Sequence, residues 1–143
     1  MMKNCEKQQN IAIVLGAKGV NATGLIRSLG EAGFYVIFAS TYSKIESKWT
    51  KDYLRLPKND EMMLEVLYQY ICSLPSKPAI FTLDDHYNEL LDEQYKRFEE
   101  IAFIPHAKGK LKELCDKAVM ATIAKESGLK TPNFAKVAVG NTE

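Results

Sequence analysis

The sequence predicts an α/β fold in which a parallel sheet of about five strands lies between two layers of helix. Three observations carry this. The stretch 11–40, IAIVLGAKGVNATGLIRSLGEAGFYVIFAS, is apolar, then glycine-punctuated, then amphipathic, then apolar again. That is strand–loop–helix–strand, one βαβ unit. Apolar runs and helical periods continue to alternate as far as residue 104, the pattern of a parallel sheet covered by its own crossovers. Right-handed crossovers on both faces give the strand order 3-2-1-4-5, with its reversal between the first and fourth strands.

Each element follows from local chemistry. Ile11 to Leu15 is an apolar run closed by Gly16. A helix is expected from Gly19 or Val20 to about Ala32, because Ala22, Leu25, Ile26 and Leu29 share one helical face. Gly33 suits the position just past its end, and 35–39 is the second strand. Residues 40–52 are polar without a period and read as a loop, with a short strand over 53–56 ended by Pro57. Asn59 or Asp60 caps the next helix, whose Met63, Val66, Leu67, Tyr70, Ile71 and Leu74 give the cleanest helical period in the chain. Pro75 and Pro78 stop it, and 79–82 is the fourth strand. Asp84 or Asp85 caps a third helix carrying Tyr87, Leu90, Leu91, Tyr95 and Phe98, and 101–104 is a fifth strand closed by Pro105. LKELC and DKAVMATIAKESG read as two short helices or one kinked helix, with Asp116 capping the second piece and Gly128 ending it. Residues 134–139 read as a strand.

Composition narrows the function classes. The 143 residues hold 19 Lys and Arg against 18 Asp and Glu, intermixed along the chain, so no electrostatic case for nucleic acid exists. No apolar run approaches the length of a membrane span, and the polar start MMKNCEKQQN has no apolar core of a signal peptide. Cys5, Cys72 and Cys115 are odd in number and widely spaced, and His86 and His106 do not complete a metal pattern with them. Reduced thiols in a cytoplasmic protein are expected, with Cys72 and Cys115 packed on helix faces. Residues 1–9 are expected to be a disordered tail.

The strand order brings two polar segments to one crevice. The first is Gly16-Ala17-Lys18-Gly19, where glycines allow a tight turn and a close approach of backbone to ligand, and an anion could meet the free N–H groups of the following helix. Turn geometry alone explains the glycines equally well. The second is Asp84-Asp85-His86. One aspartate serves as a helix cap; the other would face the crevice and accept hydrogen bonds from a ligand's amine or hydroxyl. His86 is either a general base or a structural residue. A dinucleotide site usually wants an acidic residue at the end of the second strand, and Ala39-Ser40-Thr41-Tyr42 offers none. Trp49 is either a lid or a cover for the sheet edge. Lys117, beside Asp116 at a helix start, is either a surface residue or a phosphate contact.

The order of these pieces is more telling than any one of them. LGAKG with its helix, LDDHYNELL after a strand, and LCDKAVMATIAKESGLKTPNF together resemble the front end of the ATP-grasp superfamily, most closely carboxylate–amine ligases of the carbamoyl-phosphate-synthase-like and D-aspartate-ligase-like kind. Asp116-Lys117 followed by Gly128-Leu129-Lys130-Thr131-Pro132 is the strongest match, and the resemblance covers about residues 10–139.

The resemblance implies a Rossmann-like pre-ATP-grasp domain over 10–115, and over 116–143 a linker helix with the first strand of a truncated ATP-grasp domain. It implies a reaction in which ATP phosphorylates a carboxylate and an amine, or a thiol, attacks the acylphosphate, with Mg²⁺ on the phosphates. Gly16, Ala17, Lys18, Gly19, Asp84, Asp85 and His86 would hold the small carboxylate or amine substrate, and Lys117 would approach ATP. ATP and Mg²⁺ then belong to the full-length parent; these residues alone are expected to bind neither tightly and to catalyse nothing. The remainder of the ATP-grasp enzyme is the implied partner, and apolar residues exposed at the C-terminal end would favour a homodimer. Two other readings stay open: a standalone Rossmann-like nucleotide or metabolite binding module, and part of a nucleotide-sugar or NAD(P)-dependent enzyme.

Overall fold

The computed structural model describes residues 10–105, 108, 109, 111 and 116–133. Its elements are β1 (Ile11–Leu15), α1 (Val20–Glu31), β2 (Tyr35–Ser40), β3 (Thr50–Arg55), α2 (Asp60–Cys72), β4 (Ala79–Thr82), α3 (Asp85–Glu93), α4 (Tyr95–Phe98) and α5 (Lys117–Glu126). The strands pair in parallel in the order β3-β2-β1-β4. The chain moves from β1 to β2 in one direction and reaches β4 on the other side of β1, so the reversal falls between β1 and β4 as the sequence predicts.

Side-chain alternation along the strands sorts the core into two layers. Ile11, Ile13 and Leu15 join Ile37, Ala39 and Ile80 beneath α2, α3 and α4, where Met63, Leu67, Ile71, Leu91 and Phe98 close the cluster. Ala12 and Val14, with Val36 and Phe38, face the other way against Ala22, Ile26 and Leu29 of α1. Both faces of β1 are therefore buried, which is why it reads as an unbroken apolar run rather than an alternating one. No helix joins β2 to β3. The 41–49 segment packs on the α1 face instead, burying Ile45 and setting Trp49 against Gly30, where an added Cβ would lie 2.6 Å from the Trp49 Cβ. Trp49 thus packs against α1, half-buried on that cluster. Among the described residues no helix is long and apolar enough to cross a membrane.

Four expectations need correction. Among the described residues the sheet has four strands rather than five: the segment at 101–104 contributes one bridge, Ala79 to Phe103, with Phe103 N donating to Pro78 O at 2.8 Å and Ile80 N to Phe103 O at 2.9 Å. The next ladder bonds on either side would be donated by Pro78 and Pro105, which have no N–H. The third strand begins at Thr50, inside the expected loop, because an edge strand leaves Lys51 and Asp52 in water. The third helix is broken at Gln94, whose backbone (φ −99°, ψ 17°) leaves helical geometry before α4. Cys72 is exposed, since it is the last residue of α2 and Ile71 takes the inward position. The expected tail, the strand over 134–139, and all of LKELC except Leu111 lie outside the described residues.

Candidate functional site

Parallel pairing brings every strand's C-terminal end to one edge, and the Gly16–Gly19 and Asp84–His86 segments lie along it. Leu15 O accepts from Leu83 N at 3.0 Å, and Ala39 O accepts from Gly16 N at 3.1 Å. These bonds carry the ladder one residue past the strands, so the two loops leave the sheet side by side. Leu83 lies directly on Gly16: a Cβ at 16, where φ is +155°, would sit 2.6 Å from the Leu83 Cβ. Gly16 is required by that close approach. Gly19 differs. Its backbone is extended (φ 178°, ψ −174°), and nothing stands within 4 Å of an added Cβ.

Beyond this contact lies a cavity of about 280 Å³, lined by Ala17, Lys18 and Gly19 with Leu83 and Asp84. The first helical residues Val20, Asn21 and Ala22 complete its wall. Helix α1 has no side-chain cap and no acidic residue in its first turn, so its leading N–H groups lack intrahelical acceptors and give that wall a partial positive charge. Lys18, exposed, adds a full one. Asp84 supplies the opposite sign. It is also the N-cap of α3, its Oδ1 accepting from Tyr87 N at 3.1 Å, so one residue both starts the helix and lines the cavity. The expected division of labour between the two aspartates is therefore not what the structure shows: the capping residue is the one on the cavity, and Asp85 is exposed and lines neither cavity at this edge. Asp84→Ala should cost about 1 kcal/mol through loss of the cap, while Asp84→Asn should restore most of it; urea denaturation of the two variants checks this.

His86 is not in this cavity. It turns toward α2, and its Nε2 lies 2.9 Å from Asp60 Oδ1. The Asp60 hydrogen bond holds the His86 pKa above its ordinary 6.5, against the opposing effect of burial and with help from the charges of Asp60, Asp84 and Glu89. The pair borders a second cavity of about 270 Å³ with Thr41, Tyr42, Lys58 and Tyr87. Burial raises the Tyr87 phenol pKa, opposed by a hydrogen bond with Thr41. The turn carrying Thr41 and Tyr42 is held from β3, where Arg55 Nη1 donates to Tyr42 O at 2.6 Å and the Tyr53 hydroxyl donates to the same carbonyl. Sequence reasoning took Asp60 only as a candidate cap and missed its pairing. Asn59 is the cap, its Oδ1 accepting from Met62 N at 2.9 Å, and this frees Asp60 to meet His86. Two adjacent polar residues at a helix start were the available signal.

Lys117 is exposed in the first turn of α5 and borders neither cavity. Asp116 caps that helix as expected, its Oδ1 accepting from Ala118 N at 2.8 Å.

No protein-family model matches this chain, and neither does any of the curated proteins compared with it. Among solved structures, an L-amino acid ligase from Bacillus licheniformis superposes with a TM-score of 0.64 at 16% identity, over 92% of this chain and 35% of the ligase chain. A Serratia marcescens short-chain dehydrogenase/reductase double mutant gives a TM-score of 0.43 at 11% identity, over 83% of this chain and 71% of that one, too weak a likeness to bear on the fold. The chain spans about a third of the length of the ligase it matches, and the two share a fold.

Proposed function

We propose that residues 10–115 are the substrate-side, pre-ATP-grasp domain of an ATP-dependent carboxylate–amine or carboxylate–thiol ligase, and that 116–143 lead into its nucleotide-binding half. The observation that carries this reading is the fold likeness to an L-amino acid ligase over nearly the whole chain. It agrees with the Asp116-Lys117 and Gly128-Leu129-Lys130-Thr131-Pro132 pattern around α5. In this reading the cavity beside α1 holds the substrate. A carboxylate meets the N–H groups of Val20, Asn21 and Ala22 with Lys18 at the rim, and an ammonium group meets the Asp84 carboxylate. A zwitterionic amino acid matches both signs of charge at once.

Among the described residues no three of His, Cys, Asp and Glu are grouped to hold a metal ion, and Mg²⁺ is proposed to enter only with the ATP phosphates in the complete enzyme. What these residues do is bind and orient the substrate. Lys117 is proposed to contact ATP only in the complete enzyme, where a phosphorylated carboxylate would be the chemistry that ATP supplies. The relation to carbamoyl-phosphate-synthase-like or D-aspartate-ligase-like enzymes, the cytoplasmic setting and a homodimer belong to the same proposal. The second reading, a standalone binding module, draws on the cavity at the β1/β4 reversal alone, since such crevices commonly take small ligands.

The gene's complete product, incubated with ATP, Mg²⁺, amino acids and hydroxylamine, should release phosphate and trap the acylphosphate as a hydroxamate. The 143-residue chain alone should do neither. Hydroxamate formed by the chain alone, or by neither protein, overturns the proposal; ligand binding to the chain with no ligase activity in the complete product favours the binding module.

A further inference from the structure

The proposed substrate site leaves the second cavity, between α2 and α3, without a role. Its walls are chemically divided. Met63, 1% exposed, and Tyr87, 8% exposed, form an apolar floor, and Pro57 and the exposed ring of Tyr42 extend it toward solvent. On the other side stand Lys58, exposed and with no ion-pair partner among the described residues, and the His86–Asp60 pair. At about 270 Å³ the space lies just under the usual range for ligand pockets, roughly 300–1,000 Å³, so only a small molecule fits.

We propose that this cavity is a second binding site, distinct from the one beside α1, for a small monocarboxylate with an aromatic or branched apolar body. The carboxylate lies between the Lys58 ammonium and the His86 imidazolium; the body lies on Met63 and Pro57 between the rings of Tyr42 and Tyr87. Charge decides for an anion. The charged groups on the cavity wall are Lys58 from the β3–α2 turn, Asp60 from α2 and His86 from α3, two positive against one negative when His86 is protonated, the Tyr42 and Tyr87 phenols being neutral. Asp84 and Glu89 also act on His86 by charge but line no part of this cavity. Asp60 is already engaged by His86, so protonated His86 leaves Lys58 uncompensated at the rim. The apolar floor decides against inorganic phosphate, to which it offers nothing. Binding tightens as pH falls, because the anion favours protonated His86 and the Asp60 hydrogen bond already raises that group's pKa.

The site is tested on the full chain, ¹⁵N-labelled, titrated with phenylacetate in the absence of ATP. Benzyl alcohol has the ring without the charge, and acetate the charge without the ring. Saturable amide shifts at Thr41, Lys58 and His86 are expected, with a Kd on the order of 1 mM. Affinity should be about fivefold tighter at pH 6 than at pH 8, and each control about tenfold weaker. Lys58→Met and His86→Gln should each weaken phenylacetate about fivefold while keeping the parent's thermal midpoint. Shifts that never saturate, shifts confined to Val20–Ala22, or both variants binding like the parent would overturn the proposal. Because no nucleotide is present and no residue of the α1 cavity is altered, these outcomes are independent of whether the ligase reading stands.

Discussion

Gly16→Val should destabilise the chain by about 3 kcal/mol, with the loss visible in urea denaturation as a lowered midpoint and an unchanged slope. The added side chain would start 2.6 Å from the Leu83 Cβ. Leu83 cannot retreat easily, because its own N–H is bonded to Leu15 O. The backbone at φ +155° adds strain for any L side chain. The site feels the change too, since displacing Leu83 moves Asp84. Gly19→Ala is the contrast. It has an extended backbone and open space around the new methyl, so its effect should stay within about 0.5 kcal/mol. Equal costs at the two positions would mean that the Gly16–Leu83 contact is not what demands glycine there.

Phe98→Ala should cost about 4 kcal/mol and lower the thermal midpoint by about 12 °C. Phe98 is fully buried and meets Tyr68 of α2 edge-on, ring centroids 5.8 Å apart. Arg97 beside it stacks on the same tyrosine and pairs with Glu65, so the short α4 is fastened to α2 by three adjacent contacts. Truncating the ring removes one of them and leaves a cavity in the buried cluster beneath the sheet. Phe98→Leu should recover most of the loss, to within about 1.5 kcal/mol of the parent. An alanine variant that melts within 2–3 °C of the parent, roughly 1 kcal/mol, would show that α4 is not anchored there.

How much of this could be read in advance follows from where burial acts. The elements β1, α1, β2, α2 and β4 are legible because each buries an apolar face at the period of its own geometry. The third strand is half hidden: at the edge, Lys51 and Asp52 can stay hydrated, so the composition of a loop forms a ladder with β2. The fifth strand is the converse. Ile101 to Ile104 looks like a strand, yet Pro78 and Pro105 remove the donors that would extend its pairing beyond Phe103. At the site, the meeting of the Gly16–Gly19 loop with Leu83 and Asp84 follows from topology and was legible. That His86 would turn to Asp60 was not, because a residue's neighbour across two helix starts depends on their relative rotation, which no periodicity encodes.

Asp84 bears a constraint on how this protein could be altered. One carboxylate begins a helix and also gives the adjoining hollow its negative charge. Apolar replacements would loosen the first turn of α3, whereas asparagine or serine would erase the charge and keep the helix start intact. Substitution at this position is thereby channelled through a few polar residues, which change the charge of the hollow without loosening the helix.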